Sequence, residues 1–340
     1  MFDWNLTTHI IVLILSSTVI VFAGSKLSKV ADRLADRTGL GEAMIGAILL
    51  GASTSLAGSV VSVTTAWQGH AQLAFSNGIG GIAAQTAFLA IADLCYRRAN
   101  LEHAATSLPN IIHGLVLIGL LGCMLMGAYS PDWTLWGIHP VSFILLGGYL
   151  FGLRLARIAR DEPMWTPRTT QETREDEPDE TPEGESLAGL WIRFAVLLVT
   201  LGCAGFFVAE SGMGLVAQSG LKATVVGALF TAVATSTPEL VTTIAAVRQG
   251  ALTLAVGGIL GGNVFDVLFA VGADVAYREG SIYHAIGPNE LLLVCLGLLL
   301  TTILVLGLIT REKYGPAKIG VESILILLVY LGGVVLIALG

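Results

Sequence analysis

Two short polar runs interrupt the long apolar stretches of this sequence, and each run ends on a carboxylate. The first run reads Thr-Ser-Thr-Pro-Glu and ends at Glu239. Thr235 and Ser236 lie four and three residues before Glu239, so on a helix all three share one face. Pro238 has no N–H, which leaves the carbonyl oxygen of Ala234 without its helical partner. Carboxylate, hydroxyl and carbonyl oxygens are the ligands that hard cations prefer, so this run predicts a cation site.

The second run reads Gly-Gly-Asn-Val-Phe-Asp and ends at Asp266. Asn263 and Asp266 are three residues apart and face the same way on a helix, and the two glycines allow a close approach to the preceding helix. We therefore expect a cation site here also. Structural alternatives exist for each group. Glu239 would be protonated or paired with a neighbouring helix, Asn263 would bond between helices, and the two hydroxyls would bond back to their own helix.

These carboxylates matter because the whole chain has the composition of a membrane protein. It is 54% apolar and 13% charged, whereas soluble globular proteins carry about 25% charged residues. A spanning helix needs roughly 20 mostly apolar residues, and an ionisable group inside one usually marks an ion pathway. The sequence predicts an all-α polytopic protein in the lipid bilayer, with ten spans at about 9–25, 40–66, 71–95, 109–129, 135–155, 189–211, 220–247, 251–275, 290–310 and 317–339.

Basic residues fall on alternate predicted loops. The loops after the first, third, fifth, seventh and ninth spans, with their flanking turns, hold 16 of the 18 lysines and arginines, and the other loops hold only Lys222 and Arg278. Basic residues favour the cytoplasmic side. We therefore predict a multi-pass protein of a bacterial or archaeal plasma membrane with both termini outside. Ten acids in 161–186 indicate a disordered cytoplasmic linker.

The sequence also contains an internal repeat. A shift of 181 residues aligns Gly39–Arg98 with Gly220–Glu279 without a gap, with 18 identities in 60 positions. We expect residues 1–156 to form a first five-helix repeat, 157–188 the acidic linker and 189–340 a second five-helix repeat. Because five is odd, the second copy is inverted, an arrangement typical of secondary transporters that hold substrate near the membrane midplane.

The aligned segments end on two further acids. Asp93 and Asp274 lie four residues before Arg97 and Arg278, respectively. That spacing favours an ion pair along one helix, so we expect both acids to have a structural role.

The two polar runs, the ten spans and the repeat together resemble the cation/calcium exchanger superfamily, of which the sodium/calcium exchangers are the best-known members. The Thr-Ser-Thr-Pro-Glu and Gly-Gly-Asn-Val-Phe-Asp runs resemble its second α-repeat. The resemblance implies that sodium and calcium ions bind at the centre of the membrane, with no separate cofactor. The ligands that it implies in the second repeat are Thr235, Ser236, Glu239, Asn263 and Asp266.

The first repeat matches the family pattern only in part. Thr54, Ser55 and Asn77 match, but Gly58 stands where the family has a glutamate, and Gln85 replaces its second polar ligand. Ala57 and Ile82 replace the family's proline and asparagine. Since calcium takes about 6–8 oxygens, Thr54, Ser55, Asn77 and Gln85 are the candidates to complete the site. We therefore expect fewer ion sites and an altered stoichiometry.

The sequence thus predicts a secondary cation antiporter that exchanges sodium for calcium. One alternative is a proton-coupled or monovalent cation antiporter in which Glu239 binds both ions. Another is a membrane protein that senses cations without transporting them. The chain shows no nucleophile–base constellation and no nucleotide-binding loop, so we expect neither an enzyme nor a nucleic-acid partner. Whether chains associate into a homo-oligomer is left open.

Overall fold

The computed structural model describes residues 2–38, 52–96, 100–168, 186–313, 315 and 319–340. Most of the acidic linker and the first half of the predicted second span therefore lie outside the described residues. The described ranges are helical, with one isolated bridge between Leu135 and Ile138 and no strand. The long helices are α1 Leu6–Thr38, α2 Leu56–Trp67, α3 Ala71–Cys95, α4 Leu108–Tyr129, α5 Pro140–Asp161, α6 Leu187–Ser219, α7 Ala223–Gln249, α8 Leu252–Ala276, α9 Pro288–Thr310 and α10 Val321–Leu339.

Within the described residues, nine of these helices are long and apolar enough to cross a membrane, and α2 is a shorter apolar helix. The predicted all-α polytopic fold is therefore confirmed. Helix α7 is continuous but contains a π-helical segment, Val226–Thr231. One-turn helices, Leu101–Ala104 and Ile282–Ala285, follow α3 and α8.

Helices α1 and α6 are longer than the sequence predicts. Each has 33 residues and therefore extends about 50 Å, against a hydrocarbon core of about 30 Å. They are the first helices of the two repeats, and they pack along each other. Their shared apolar core includes Ile20, Leu27 and Leu34 from α1 with Leu201 and Val208 from α6. This core is distinct from the larger one formed by most of the remaining helices.

The centre of the molecule is formed where α2 and α3 of the first repeat meet α7 and α8 of the second. Helix α3 is buried along most of its length. At Gly80 the backbones of α3 and α7 approach so closely that a Cβ atom would lie 2.5 Å from the Cα of Ala228. Small residues allow such close contacts between membrane helices. The four helices therefore bring the polar groups of both repeats together.

Candidate cation site

The side chain of Asp266 on α8 is held by two donors from the first repeat. Ser55 Oγ donates to Asp266 Oδ1 at 2.6 Å, and Gln85 Nε2 donates to Asp266 Oδ2 at 2.7 Å. Gln85 Nε2 also lies 3.2 Å from Ser236 Oγ, to which it donates. All four side chains are buried. The structure thus connects four of the predicted site residues, two from each repeat, in one hydrogen-bonded group.

Glu239 lies on α7 one turn after Ser236 and is 8% exposed. It is close enough to Asp266 for the two negative charges to interact. Its Oε2 atom has no hydrogen-bond partner among the described residues, and the same is true of Gln85 Oε1 and Asn263 Oδ1. Leaving a buried polar atom unpaired costs about 1–3 kcal/mol, and more when the atom is charged. These three oxygens, one from the carboxylate pair and two from neighbouring amides, are suited to ligate a cation, which would offset this cost.

The other predicted ligands have partners of their own. The hydroxyl of Thr235 donates to the carbonyl oxygens of Thr231 and Ala232. These bonds do not use the lone pairs of Thr235 Oγ1, which can still ligate a cation. Asn263 Nδ2 donates to Thr86 Oγ1 at 3.0 Å, and this contact holds the amide while its Oδ1 stays unpartnered. Thr54 is half-buried and precedes Ser55 directly.

Asn77 belongs to a separate group of hydrogen bonds. Its Nδ2 donates to the carbonyl oxygen of Gly58 and to Ser62 Oγ, both at 3.0 Å. Its Oδ1 accepts a hydrogen bond from Thr231 Oγ1 at 2.8 Å. Asn77 therefore ties α3 to α2 and α7, and none of these bonds connects it to either carboxylate.

Sequence reasoning did not identify Ser62, Thr86 and Thr231, the hydroxyl residues that position the two asparagine amides. All three are less than 2% exposed. Their burial within spanning segments was the only available signal, because a lone Ser or Thr in a membrane helix is most often bonded to its own backbone. Within the described residues, no cluster of three or more His, Cys, Asp or Glu is suited to a metal ion. The site therefore depends on two carboxylates and neutral oxygens.

The structural role expected for Asp274 is fulfilled by partners other than Arg278. Its carboxylate accepts hydrogen bonds from the backbone N–H groups of His139 at 2.7 Å and Ile282 at 3.2 Å, and from Ser142 Oγ at 2.8 Å. Asp274 and Arg278 are both described and form no ion pair with each other. The predicted pair was wrong because α8 ends at Ala276, so the helical spacing does not extend to Arg278.

Asp93 has the same kind of environment at the end of α3. It accepts hydrogen bonds from the backbone N–H groups of Leu101 at 2.8 Å and Gly320 at 2.9 Å. Arg97, its predicted partner, lies outside the described residues. Both acids thus fasten the end of a helix to the backbone of the short helix that follows it and to a segment from the other repeat.

Comparisons with known proteins agree with this architecture. The sequence profile of the family described as sodium/calcium exchanger protein matches residues 8–155 and 189–339. The inner membrane protein YrbG of Escherichia coli (strain K12) is 26% identical over 276 residues, which cover 79% of this chain and 80% of YrbG.

Two solved structures share the fold. The sodium-calcium exchanger NCX_Mj aligns with a TM-score of 0.62 and 16% identity, over 97% of this chain and 99% of NCX_Mj. The H+/Ca2+ exchanger CAX aligns with a TM-score of 0.64 and 14% identity, over 99% of this chain and 86% of CAX. At this identity the likeness concerns the fold, which is common to a sodium-calcium exchanger and a proton-calcium exchanger.

Proposed function

Since the chain belongs to the sodium/calcium exchanger protein family and is a multi-pass cation antiporter of that family, we propose that it exchanges sodium for calcium. The observation that carries this proposal is the buried pair Glu239 and Asp266 with unpartnered oxygens beside it. We propose further that the membrane is the plasma membrane of a bacterium or archaeon, with both termini outside, as the distribution of basic residues favours.

The charge of the site supports a divalent cargo. Ionised Glu239 and Asp266 together supply two negative charges, which one calcium ion or two sodium ions would neutralise. Burying a charge without compensation is costly, so a loaded site of this composition is most stable when its cargo carries two positive charges. Calcium ligands would come from the two carboxylates, Gln85 Oε1, Asn263 Oδ1 and the Ser and Thr hydroxyls around them.

The position of the site supports exchange between two sides of the membrane. Its hydrogen-bonded groups come equally from the two repeats, with Ser55 and Gln85 from the first and Ser236 and Asp266 from the second. When inverted repeats move against each other, a site at their contact is exposed alternately to each side. Because sodium and calcium would occupy the same oxygens, binding of one ion displaces the other and couples their movements.

One observation favours a second candidate, proton-coupled exchange. Glu239 Oε2 has no donor among the described residues, so a proton could neutralise this oxygen as a cation would. The same carboxylate would then bind a proton and a cation in turn. This candidate differs from sodium-coupled exchange only in the ion that drives calcium movement, and a flux measurement separates the two.

The deciding experiment is calcium-45 uptake into proteoliposomes that contain the purified chain, with and without an outward sodium gradient. We expect uptake to require the gradient, to disappear in Glu239→Gln and to persist in Glu312→Gln, a matched exchange at an exposed position. Uptake driven by a pH gradient in the absence of sodium would replace the first candidate with the second. Calcium binding without any uptake would contradict both and favour a cation sensor.

A further inference from the structure

The first repeat has no counterpart to the carboxylate of Glu239, and the structure shows what occupies its place. Gly58 is the residue equivalent to Glu239 when the repeats are aligned. A Cβ atom built on Gly58 would lie 2.5 Å from Cε2 of Phe269 and 3.0 Å from its Cζ. A Cβ atom essentially never approaches a heavy atom of a residue distant in the chain within 3.0 Å. The phenyl ring of Phe269, which comes from the second repeat, therefore fills the space of a side chain at position 58.

The ring of Phe269 is fixed in this position by its surroundings. Phe269 is 5% exposed. A Cβ atom at Gly78 would lie 3.1 Å from the Cβ of Phe269, so α3 packs directly against the Cβ of Phe269. Phe265 packs edge-on against the ring with centroids 6.4 Å apart, and Tyr149 packs in the same way against Phe265 at 5.8 Å. Moving the ring would thus disturb a chain of three aromatic residues.

The blocked space adjoins the cation site. The third-nearest atom to a Cβ at Gly58 is Thr235 Oγ1, at 3.5 Å. Thr235 lies one turn before Glu239 on α7, so the ring stands at the edge of the predicted ligand set. An apolar ring offers a cation no oxygen ligand and keeps water out of the volume it occupies.

We propose that Phe269 determines how many cations the site accepts, by filling the first repeat's share of the site. The cargo is thereby limited to what Glu239 and Asp266 neutralise, which is one divalent or two monovalent cations per chain. This inference rests on the proposed function and adds the capacity of the site to it. The number of bound cations is thus limited in two ways: Gly58 supplies no carboxylate, and the ring of Phe269 fills the space where one would lie.

The test is equilibrium binding of calcium-45 and sodium-22 to the purified chain in lipid nanodiscs. The wild type should bind one calcium or two sodium ions at saturation. Gly58→Glu alone should leave calcium affinity unimproved, because the ring blocks the added carboxylate. The same substitution on a Phe269→Ala background should raise calcium affinity at least about tenfold over Phe269→Ala alone and add a sodium site. Phe88 is the first-repeat equivalent of Phe269 and serves as the control. On a Phe88→Ala background, Gly58→Glu should again leave calcium affinity unimproved.

The inference is overturned if Gly58→Glu gives the same gain with and without the Phe269 ring, or if it gives no gain in either case. Saturation of the wild type at three or more sodium ions would also overturn it, and that measurement needs no variant. If Phe269→Ala does not fold, Phe269→Leu with Gly58→Asp repeats the comparison with a smaller cavity. A wild type that binds one calcium or two sodium ions here but moves no calcium in proteoliposomes would contradict the proposed function while upholding the role of Phe269.

Discussion

Gln85 and Asp266 occupy equivalent positions in the two repeats, 181 residues apart, and are hydrogen-bonded to each other at 2.7 Å. The bonds beside this contact follow the same equivalence. Ser55 donates to Asp266, and Gln85 donates to Ser236, which is the repeat counterpart of Ser55. The centre of the site therefore keeps the symmetry of the duplication in its geometry but not in its charge, because one member of the central pair is an amide and the other a carboxylate.

This asymmetry predicts unequal effects of removing the two serine hydroxyls. Ser55 donates to a carboxylate, and hydrogen bonds to charged groups contribute about 1.5–3 kcal/mol, whereas Ser236 accepts from a neutral amide, a bond of about 0.5–1.5 kcal/mol. Without calcium, Ser55→Ala should therefore lower the thermal midpoint more than Ser236→Ala does. Saturating calcium should narrow the difference, because the ion then compensates the charge of Asp266. Tryptophan fluorescence during heating measures the thermal midpoints with and without calcium. Equal shifts in the two variants would contradict the unequal strength of the two hydrogen bonds.

Gln85 has a second role that can be tested separately. Its Nε2 holds Asp266 while its Oε1 stays unpartnered beside the site, so Gln85→Leu removes both a positioning donor and a candidate ligand. We expect the calcium affinity to fall about tenfold or more, equivalent to at least about 1.4 kcal/mol. Gln72→Leu, an exposed glutamine on the same helix, is the matched control and should bind calcium as the wild type does. Calcium-45 binding decides the question, and an unchanged affinity in Gln85→Leu would exclude it as a ligand.

Local patterns were sufficient to predict the long helices of the described residues and the helix faces that the second-repeat polar groups share. Apolar length gave the spans, and spacings of three and four residues placed Glu239 beside Ser236, and Asp266 beside Asn263, on shared helix faces. The length of α1 and α6 was not predictable in this way. Both helices continue past the apolar segment because they stabilise each other along their whole length, a contact between residues about 180 positions apart.

The same limit applies to contacts between repeats. Sequence spacing cannot show that Gln85 reaches Asp266, or that Phe269 fills the space at Gly58, because both contacts depend on how α2, α3 and α8 pack. It also led to the wrong partner for Asp274, since the rule for helical ion pairs applies only while the helix continues. The internal alignment was the one sequence signal that related such distant positions.

Glu102, on the short helix after α3, is an unusual acid outside the membrane-spanning helices. It is 2% exposed, its Oε1 accepts a hydrogen bond from Ser323 Oγ at 3.0 Å, and its Oε2 has no partner among the described residues. Among the described residues, the charged groups that face it are Asp93 from α3 and Glu322 from α10. Burial, and then the negative charge of Asp93, raise the pKa of Glu102 to about 7. The folded protein therefore holds a proton here that the unfolded chain loses near its ordinary pKa of 4.5.

From this shift we predict that stability falls as pH rises. The pKa of Glu102 is higher in the folded protein than in the unfolded chain. The stabilisation that comes from its bound proton is therefore complete below about pH 4.5 and is lost as pH rises through about 7. Over this pH range the free energy of unfolding falls by on the order of 3 kcal/mol. Glu102→Gln keeps a neutral side chain of the same shape, so its thermal midpoint should vary less between pH 5 and 8 and exceed that of the wild type at pH 8. In Glu312→Gln the thermal midpoint should change with pH as in the wild type. The same pH dependence in Glu102→Gln would show that Glu102 is not the titrating group.

The predicted orientation can be tested with the loops at opposite ends of α5. Asp132, 64% exposed, precedes α5 in a loop predicted to be outside, and Asp161, 47% exposed, ends α5 on the predicted cytoplasmic side. On a background without Cys95, Cys123, Cys203 and Cys295, Asp132→Cys should react with a membrane-impermeant maleimide in intact bacterial cells. Asp161→Cys should react only after the membrane is permeabilised, because the basic residues on its side favour the cytoplasm. The reverse pattern would place both termini inside.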